Sequence, residues 1–318
     1  MRIVILDGHA LNPGDLSWDS FKELGDVDLY EETPSDKVVE RAADADALII
    51  NKIVIDREIL SALPSLRYVG ITATGYNIVD LEALRERKVA LTNVPAYSTD
   101  GVAQAVFAFI LSFAERTAEY DSLVKSGKWS ESGSFSLPVL PVSEISGKTL
   151  GIIGMGTIGM RVASIASAFG MNVIYSTRTP KSEAEAFGYR SVSTDDLFRL
   201  SDYVSLHCPL TKDTENIVNE RTLSLMKRDA VLINTARGAL VDEKALYDAL
   251  NEKRIKGAGM DVMRNEPPAA SSPLFTLPSV IITPHIAWSA KETRARLLNE
   301  AMLNLKAFSE GRERNRIV

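Results

Sequence analysis

Short apolar runs, each followed by a longer amphipathic stretch, recur along this chain from its first residues almost to its last, and no other feature restricts its fold as much. In the N-terminal part the runs are Ile3–Leu6, Ala47–Ile50, Tyr68–Ile71 and Val89–Thr92, with helical patterns such as Asp36–Ala43 and Val79–Arg87 between them. Beyond Lys148 they are Thr149–Gly154, Asn172–Tyr175, Tyr203–His207, Val231–Thr235, Ala258–Val262 and Val280–Thr283. Strands that alternate with helices and are apolar along their whole length belong in parallel sheets covered on both faces and joined by right-handed crossovers. The expected class is α/β.

Two segments depart from the alternation. Ser98–Leu123 is long and apolar on more than one face, with Ser98 and Thr99 placed to cap it, so a helix there must be buried on several sides. Ser126–Pro141 is rich in Ser, Gly and Pro and reads as a loop or an arm. The last segment, Ser289–Glu310, is again helical in pattern. With 318 residues the chain has material for about two domains.

Composition narrows the function classes. A net charge of −6 gives no electrostatic reason to expect nucleic acid or an anionic membrane as partner. The single cysteine, Cys208, excludes an internal disulfide, and His9, His207 and His285 lack the close spacing of a zinc motif, so no metal is expected. The opening residues Arg2-Ile3-Val4-Ile5-Leu6-Asp7 read as a strand and not as a signal peptide. The longest apolar stretch, Val102–Ala114, contains Gln104 and is too short to span a bilayer. A cytoplasmic location is the expectation.

Gly154-Met155-Gly156-Thr157-Ile158-Gly159 fits G-x-G-x-x-G, and it follows the strand Leu150–Ile153 and opens the helical segment Ile158–Phe169. That placement is what a dinucleotide site requires. Gly154 permits the tight turn, Gly156 lets backbone approach a pyrophosphate, and Gly159 lets helix and strand pack closely. The first turn, from Thr157 and Ile158, offers N–H groups to phosphate. The next strand ends in Tyr175-Ser176-Thr177-Arg178, where NAD-selective sites usually carry an acid for the ribose 2′-hydroxyl. Ser176, Thr177 and Arg178 suit a 2′-phosphate better, so NADP(H) is favoured and NAD(H) is the alternative.

Three residues follow strand ends in the second block: Arg237, Glu266 and His285. Ligands of open α/β sheets bind at the carboxyl ends of the strands, so all three are placed to face one crevice. Arg237 is a permanent cation for a carboxylate or a reacting carbonyl. His285 can exchange a proton with a carbonyl oxygen, and Glu266 beside it would favour the charged ring and fix its orientation.

On these motifs, with Leu6-Asp7-Gly8, Leu11-Asn12-Pro13-Gly14-Asp15-Leu16-Ser17-Trp18, His285-Ile286-Ala287-Trp288-Ser289 and Lys291-Glu292, the sequence resembles the D-isomer-specific 2-hydroxyacid dehydrogenases over essentially its whole length. Within that family the opening is most similar to the glycerate dehydrogenase, or hydroxypyruvate reductase, subgroup. The resemblance implies an NAD(P)-dependent enzyme that reduces hydroxypyruvate or glyoxylate, with Arg237, Glu266 and His285 as the catalytic set. It implies that the loop Ala73-Thr74-Gly75-Tyr76-Asn77 binds the substrate carboxylate through backbone N–H groups, with Asn51 and Lys52 at the same pocket. It places His207, Cys208, Pro209, Thr214, Thr235, Ala236, Arg237, Asp261, His285 and Ala287 along the dinucleotide, Asp261 at the carboxamide. Cys208 reads as a small buried residue and not a nucleophile.

The implied fold is two Rossmann-like doubly wound parallel-sheet domains with a discontinuous substrate domain, residues 1–98 plus 290–318, around a dinucleotide-binding domain at 99–289. The implied assembly is a homodimer through the helix after Ser98 and the following arm. The alternatives are a phosphoglycerate or bulkier 2-oxo acid dehydrogenase, and a dinucleotide-sensing co-repressor-like binding module.

Overall fold

A computed structural model describes residues 1–318. The chain forms two compact units, Met1–Ser98 together with Trp288–Val318, and Thr99–Ala287. The chain thus returns to the first unit at Trp288, two residues ahead of the expected boundary at 290.

In the first unit the strands β1 (Arg2–Ile5), β2 (Asp26–Leu29), β3 (Ala47–Ile50), β4 (Tyr68–Ile71) and β5 (Ala90–Thr92) form one parallel sheet in the order β2-β1-β3-β4-β5. Alternate residues serve opposite faces, as a pleated strand requires. Val4, Leu48, Ile50, Val69, Ile71 and Leu91 pack with one layer of helices that includes Leu60 and Leu84. Ile3, Ile5, Ile49 and Tyr68 pack with the C-terminal helix Lys291–Ser309 through Leu297, Leu298, Ala301 and Leu305. Asp56 and Asp80 cap their helices by accepting from Ile59 N and Ala83 N, both at 2.9 Å. β2 has no apolar run in the sequence. It is an edge strand with two aspartates, held by its register with β1 (Ile3 opposite Val27) and by Arg2 Nε donating to Asp28 at 2.9 Å.

In the second unit β6 (Thr149–Ile153), β7 (Asn172–Ser176), β8 (Arg190–Ser191), β9 (Tyr203–Leu206), β10 (Val231–Asn234), β11 (Gly257–Met260) and β12 (Val280–Ile282) are again all parallel, in the order β12-β11-β10-β9-β6-β7-β8. The chain starts at β6, builds outward through β7 and β8, then returns to β9 on the other side of β6. The boundary between β6 and β9 is therefore a topological switch point, where an open α/β sheet leaves a crevice at its strand carboxyl ends. One face of the sheet carries Ile153, Leu206 and Leu232, the other Ile152, Ile233 and the helix Thr99–Glu115.

The single helix expected over Ser98–Leu123 is two helices, Thr99–Glu115 and Thr117–Lys125. Arg116 between them has φ +54°, a left-handed conformation that no continuous helix contains, and its guanidinium reaches forward to Glu119 in the second helix. The expected loop over Ser126–Pro141 holds a short helix, Lys128–Ser132, between left-handed Gly127 and Gly133. No helix is long and apolar enough to cross a membrane.

Candidate active site

The glycine turn stands at the carboxyl end of β6, at the switch point. Gly154 has φ +98°, and a Cβ there would strike the backbone at His207 and Cys208, so only glycine serves. A Cβ at Gly159 would fall on the carbonyl oxygen of Gly154, which is how closely helix and turn pack. At Gly156 the reverse holds: an added Cβ would meet nothing within 4 Å, so the backbone borders open space. The helix Thr157–Ala168 starts there with no side-chain cap, leaving its first N–H groups to a ligand. A further sign is Thr235, just past β10, whose buried Oγ1 has no hydrogen-bond partner. These features fit a dinucleotide.

Ser176 is buried and bonded through its hydroxyl to Thr194 at 2.9 Å, and the Thr177 hydroxyl donates to the Thr179 carbonyl. Arg178 is exposed and forms no ion pair. Beyond β9, burial holds the His207 imidazole far below the ordinary histidine range, at about 4; part of the residue reaches solvent, but its Nε2 lies 2.9 Å from the Ser205 hydroxyl. Burial also pushes the Cys208 thiol up to about 11. The Thr214 hydroxyl is spent within its own turn, donating to Pro209 O at 2.6 Å and accepting from Thr211 N at 2.8 Å.

Arg237 owes its place to a residue with no charge. Asn234, fully buried at the end of β10, donates to Arg237 O at 2.8 Å and accepts from Ala236 N at 3.0 Å, which folds the turn 234–237. Gly238 then lies so close to the Met263–Arg264 backbone that a Cβ would overlap it. This contact brings Arg237 beside the loop that carries Glu266. The Arg237 Nη1 donates to Ala236 O at 2.6 Å. Glu266 accepts from Met263 N at 3.0 Å on one carboxylate oxygen and from His285 Nδ1 at 2.7 Å on the other. A carboxylate can only accept, so Nδ1 carries the proton and Nε2 is the nitrogen left to exchange one.

His285 itself has φ +55°, and its N–H donates to Asp261 O at 2.8 Å. Arg237, Glu266 and His285 line one cavity of about 170 Å³ with Leu210, Gly238 and Met263. Asp261 is almost completely buried, and its carboxylate accepts from Thr283 Oγ1 (2.7 Å), Ile286 N (2.8 Å) and Ala287 N (3.0 Å).

In the first unit, Asn51 and Lys52 follow β3 and Thr74 and Gly75 follow β4, adjacent strands of the sheet. Asn51 is buried and donates through Nδ2 to Thr72 O (2.7 Å) and Thr72 Oγ1 (3.0 Å). Lys52 and Thr74 are exposed, and the Thr74 hydroxyl donates to Val94 O at 2.9 Å. Asp7 closes β1 at the switch point of this sheet, and its buried carboxylate accepts from Asn51 N at 2.8 Å and Lys52 N at 2.6 Å. Desolvation raises its pKa and those N–H donors act against the rise. Asp7 and Asn234 escaped sequence reasoning as site residues. The only signal was a polar residue ending an apolar run, which is how many surface turns begin.

Two parallel α/β sheets, one with a glycine turn and an uncapped helix at its switch point, define a Rossmann-type dinucleotide-binding protein. Residues 107–287 match the family described as D-isomer specific 2-hydroxyacid dehydrogenase, NAD binding domain. The chain is 38% identical to a hydroxypyruvate reductase of Blautia hydrogenotrophica over 98% of both chains. It is 41% identical to a glyoxylate reductase of Aeropyrum pernix over 90% of this chain and 86% of the relative. Among solved structures, an acyclic imino acid reductase in complex with NADPH and D-Arg superposes with a TM-score of 0.87 at 34% identity over the whole of both chains. The chain belongs to the D-isomer-specific 2-hydroxyacid dehydrogenases, oxidoreductases that act on CH–OH donors and take a nicotinamide dinucleotide.

Proposed function

We propose that this enzyme reduces a small 2-oxo acid, hydroxypyruvate or glyoxylate, and uses NADPH in preference to NADH. The observation that carries the reading is the 2.7 Å contact of His285 Nδ1 with Glu266 on the wall of a cavity that Arg237 shares. The names of the relatives, hydroxypyruvate reductase and glyoxylate reductase, support the substrate class.

The second unit holds the dinucleotide along Gly154, Gly156, Thr157 and Ile158 at the phosphates and Ser176, Thr177 and Arg178 at the adenosine ribose. His207, Cys208, Pro209, Thr214, Thr235, Ala236, Arg237, Asp261, His285 and Ala287 border the rest. When bound, the dinucleotide supplies the hydride for the substrate's carbonyl carbon. His285 gives the Nε2 proton to the carbonyl oxygen as charge develops there, and takes it back in the oxidative direction. Glu266 holds the ring so that Nδ1 stays committed and Nε2 stays available. Arg237 pairs with the substrate carboxylate or the developing oxyanion. In the first unit, Thr74 and Gly75 offer backbone N–H groups to the carboxylate, with Asn51 and Lys52 beside them. The residues around 176–178 include no acid, which favours a 2′-phosphate. We further place a homodimer contact on the helix Thr99–Glu115 and the arm after it, where Trp129, Phe135, Val139 and Val142 are exposed.

The test is oxidation of NADPH and of NADH at neutral pH with hydroxypyruvate, glyoxylate, pyruvate and phosphohydroxypyruvate. The highest kcat/KM is expected with NADPH and hydroxypyruvate or glyoxylate. Arg178→Ala should raise the KM for NADPH about tenfold or more, the worth of a lost charge-assisted contact, and leave NADH little changed. Equal or better use of NADH would overturn the cofactor preference. Fastest turnover of phosphohydroxypyruvate would make the chain a phosphoglycerate dehydrogenase, and dinucleotide binding without turnover would make it a sensing module.

A further inference from the structure

We propose that Asp261 is a positioning residue for His285, holding the backbone that aims the imidazole. This inference rests on His285 being the group that exchanges the proton. It concerns a task for Asp261 separate from any contact with the dinucleotide.

Asp261 directly follows β11, and its residue is 2% exposed. Burying a carboxylate is costly unless donors converge on it. Here every donor within hydrogen-bonding distance comes from the segment that carries His285. Thr283 Oγ1 and Ile286 N donate to Oδ1 at 2.7 and 2.8 Å, and Ala287 N donates to Oδ2 at 3.0 Å. The Asp261 carbonyl oxygen accepts from His285 N at 2.8 Å. One residue thus binds the chain on both sides of His285 and at His285 itself.

That grip matters because of the conformation it holds. His285 has φ +55°, a left-handed backbone that costs a non-glycine residue about 1 kcal/mol or more. Relaxing it to the right-handed region would swing Cβ away and take Nδ1 off Glu266. Glu266 fixes the rotation of the ring, but it can do so only if the Cα–Cβ bond already points at it. Glu266 in turn is tied to Met263 N at 3.0 Å, and Met263 lies two residues beyond Asp261. Both members of the His–Glu pair are therefore anchored to the end of one buried strand. Residues that settle a catalytic group to within about an ångström matter on the scale of 10²-fold in rate.

The experiment compares Asp261→Asn, His285→Ala and the double variant in kcat, in NADPH affinity by fluorescence of the bound nucleotide, and in amide hydrogen exchange of the cofactor-free protein. Asn keeps the size but puts an amide nitrogen or a weaker acceptor where backbone N–H groups point. Asp261→Asn should lower kcat about 10²-fold with the NADPH Kd within about threefold of the parent. Amides 285–287 should exchange faster while the strand amides of β11 stay protected. In the His285→Ala background the same change should cost less than about twofold of the residual turnover, because a residue that acts through His285 has nothing left to position. Equal losses in both backgrounds, or a loss of NADPH affinity that accounts for the drop in rate, would overturn the inference and make Asp261 a cofactor contact only.

If Asp261→Asn does not fold, Thr283→Val removes a single donor to the same carboxylate. It should lower kcat about fivefold in the parent and not at all beside His285→Ala; the same loss in both backgrounds would again overturn the inference. A fully active His285→Ala would instead remove the proposed mechanism itself, whereas an inactive His285→Ala beside a fully active Asp261→Asn would remove only the positioning role.

Discussion

His207 and Cys208 follow β9 at the glycine turn, and burial keeps both out of proton chemistry. The imidazole stays neutral, with a single ring proton, down to about pH 4, and the thiol keeps its proton until about pH 11. Residue type alone does not give these readings, because the same two side chains elsewhere serve as an acid–base pair; the sequence offered the reading of Cys208 as a buried residue and not a nucleophile only through the family resemblance. For Cys208 the sign is definite: a folded value above the ordinary thiol value leaves little thiolate at neutral pH and more as pH rises. At pH 8 about one molecule in a thousand carries the thiolate in the folded chain, against about a quarter of an unfolded chain. Iodoacetamide should therefore label the native protein at pH 8 on the order of 10²-fold more slowly than the urea-unfolded protein, with the native rate climbing as pH rises toward 11. Rapid native labelling at pH 8 would show that the thiol is not desolvated. At this scale the charged members of the site, Arg237, Glu266 and His285, were legible because each follows an apolar run. Asn234 and Asp7 were not, since their importance lies in which backbone groups they bind, and those groups are distant in sequence in the case of Asp7.

The elements repeat this division. Most strands were legible because burial leaves a short run without charged residues, whereas two of the four edge strands, β2 and β8, were not, because Asp26-Val27-Asp28-Leu29 and Arg190-Ser191 form no such run. The greasy helix Thr99–Glu115 was legible as buried, but what it lies against was not. Phe109 covers Gly259 and Phe113 covers Gly257, both in β11, so closely that a Cβ at Gly259 would come 2.7 Å from the Phe109 ring. These glycines are there for close approach, at the usual cost in strand propensity. Gly259→Val should force the helix off the sheet and destabilise the protein by about 1–3 kcal/mol, read as a lowered midpoint in thermal or urea unfolding. An unchanged midpoint would mean that the helix moves away freely. The break at Arg116 belongs here as well. Nothing in Glu115-Arg116-Thr117 forbids a helix, so the left-handed residue is a tertiary choice.

For the whole molecule, the discontinuous first unit means that the final helix, Lys291–Ser309, completes a core begun by β1. Arg294 shows how tightly: nearly buried, it pairs with Asp15 through both guanidinium nitrogens at 2.6 and 2.7 Å. The arm beyond Thr117 is different, with Phe135 almost fully exposed beside Trp129, Val139 and Val142. If those side chains meet a second copy, sedimentation should give twice the chain mass, and Trp129→Ser with Phe135→Ser should shift it toward the monomer. A monomer at micromolar concentration would withdraw the dimer.

By itself the sequence determined the fold class, the glycine turn after β6 and the three charged residues, Arg237, Glu266 and His285, that come to share a cavity. Each of these is written in local pattern: apolar period, glycine spacing, and a charge placed just after a strand. Only the tertiary structure decided that Nδ1 of His285 meets Glu266, that Asn234 and Gly238 carry Arg237 to their cavity, and that Asp261 grips the strained segment around His285. Apart from the local turn that Asn234 folds, those are contacts between segments about twenty residues or more apart. They are set by strand order and by burial, neither of which a local pattern records.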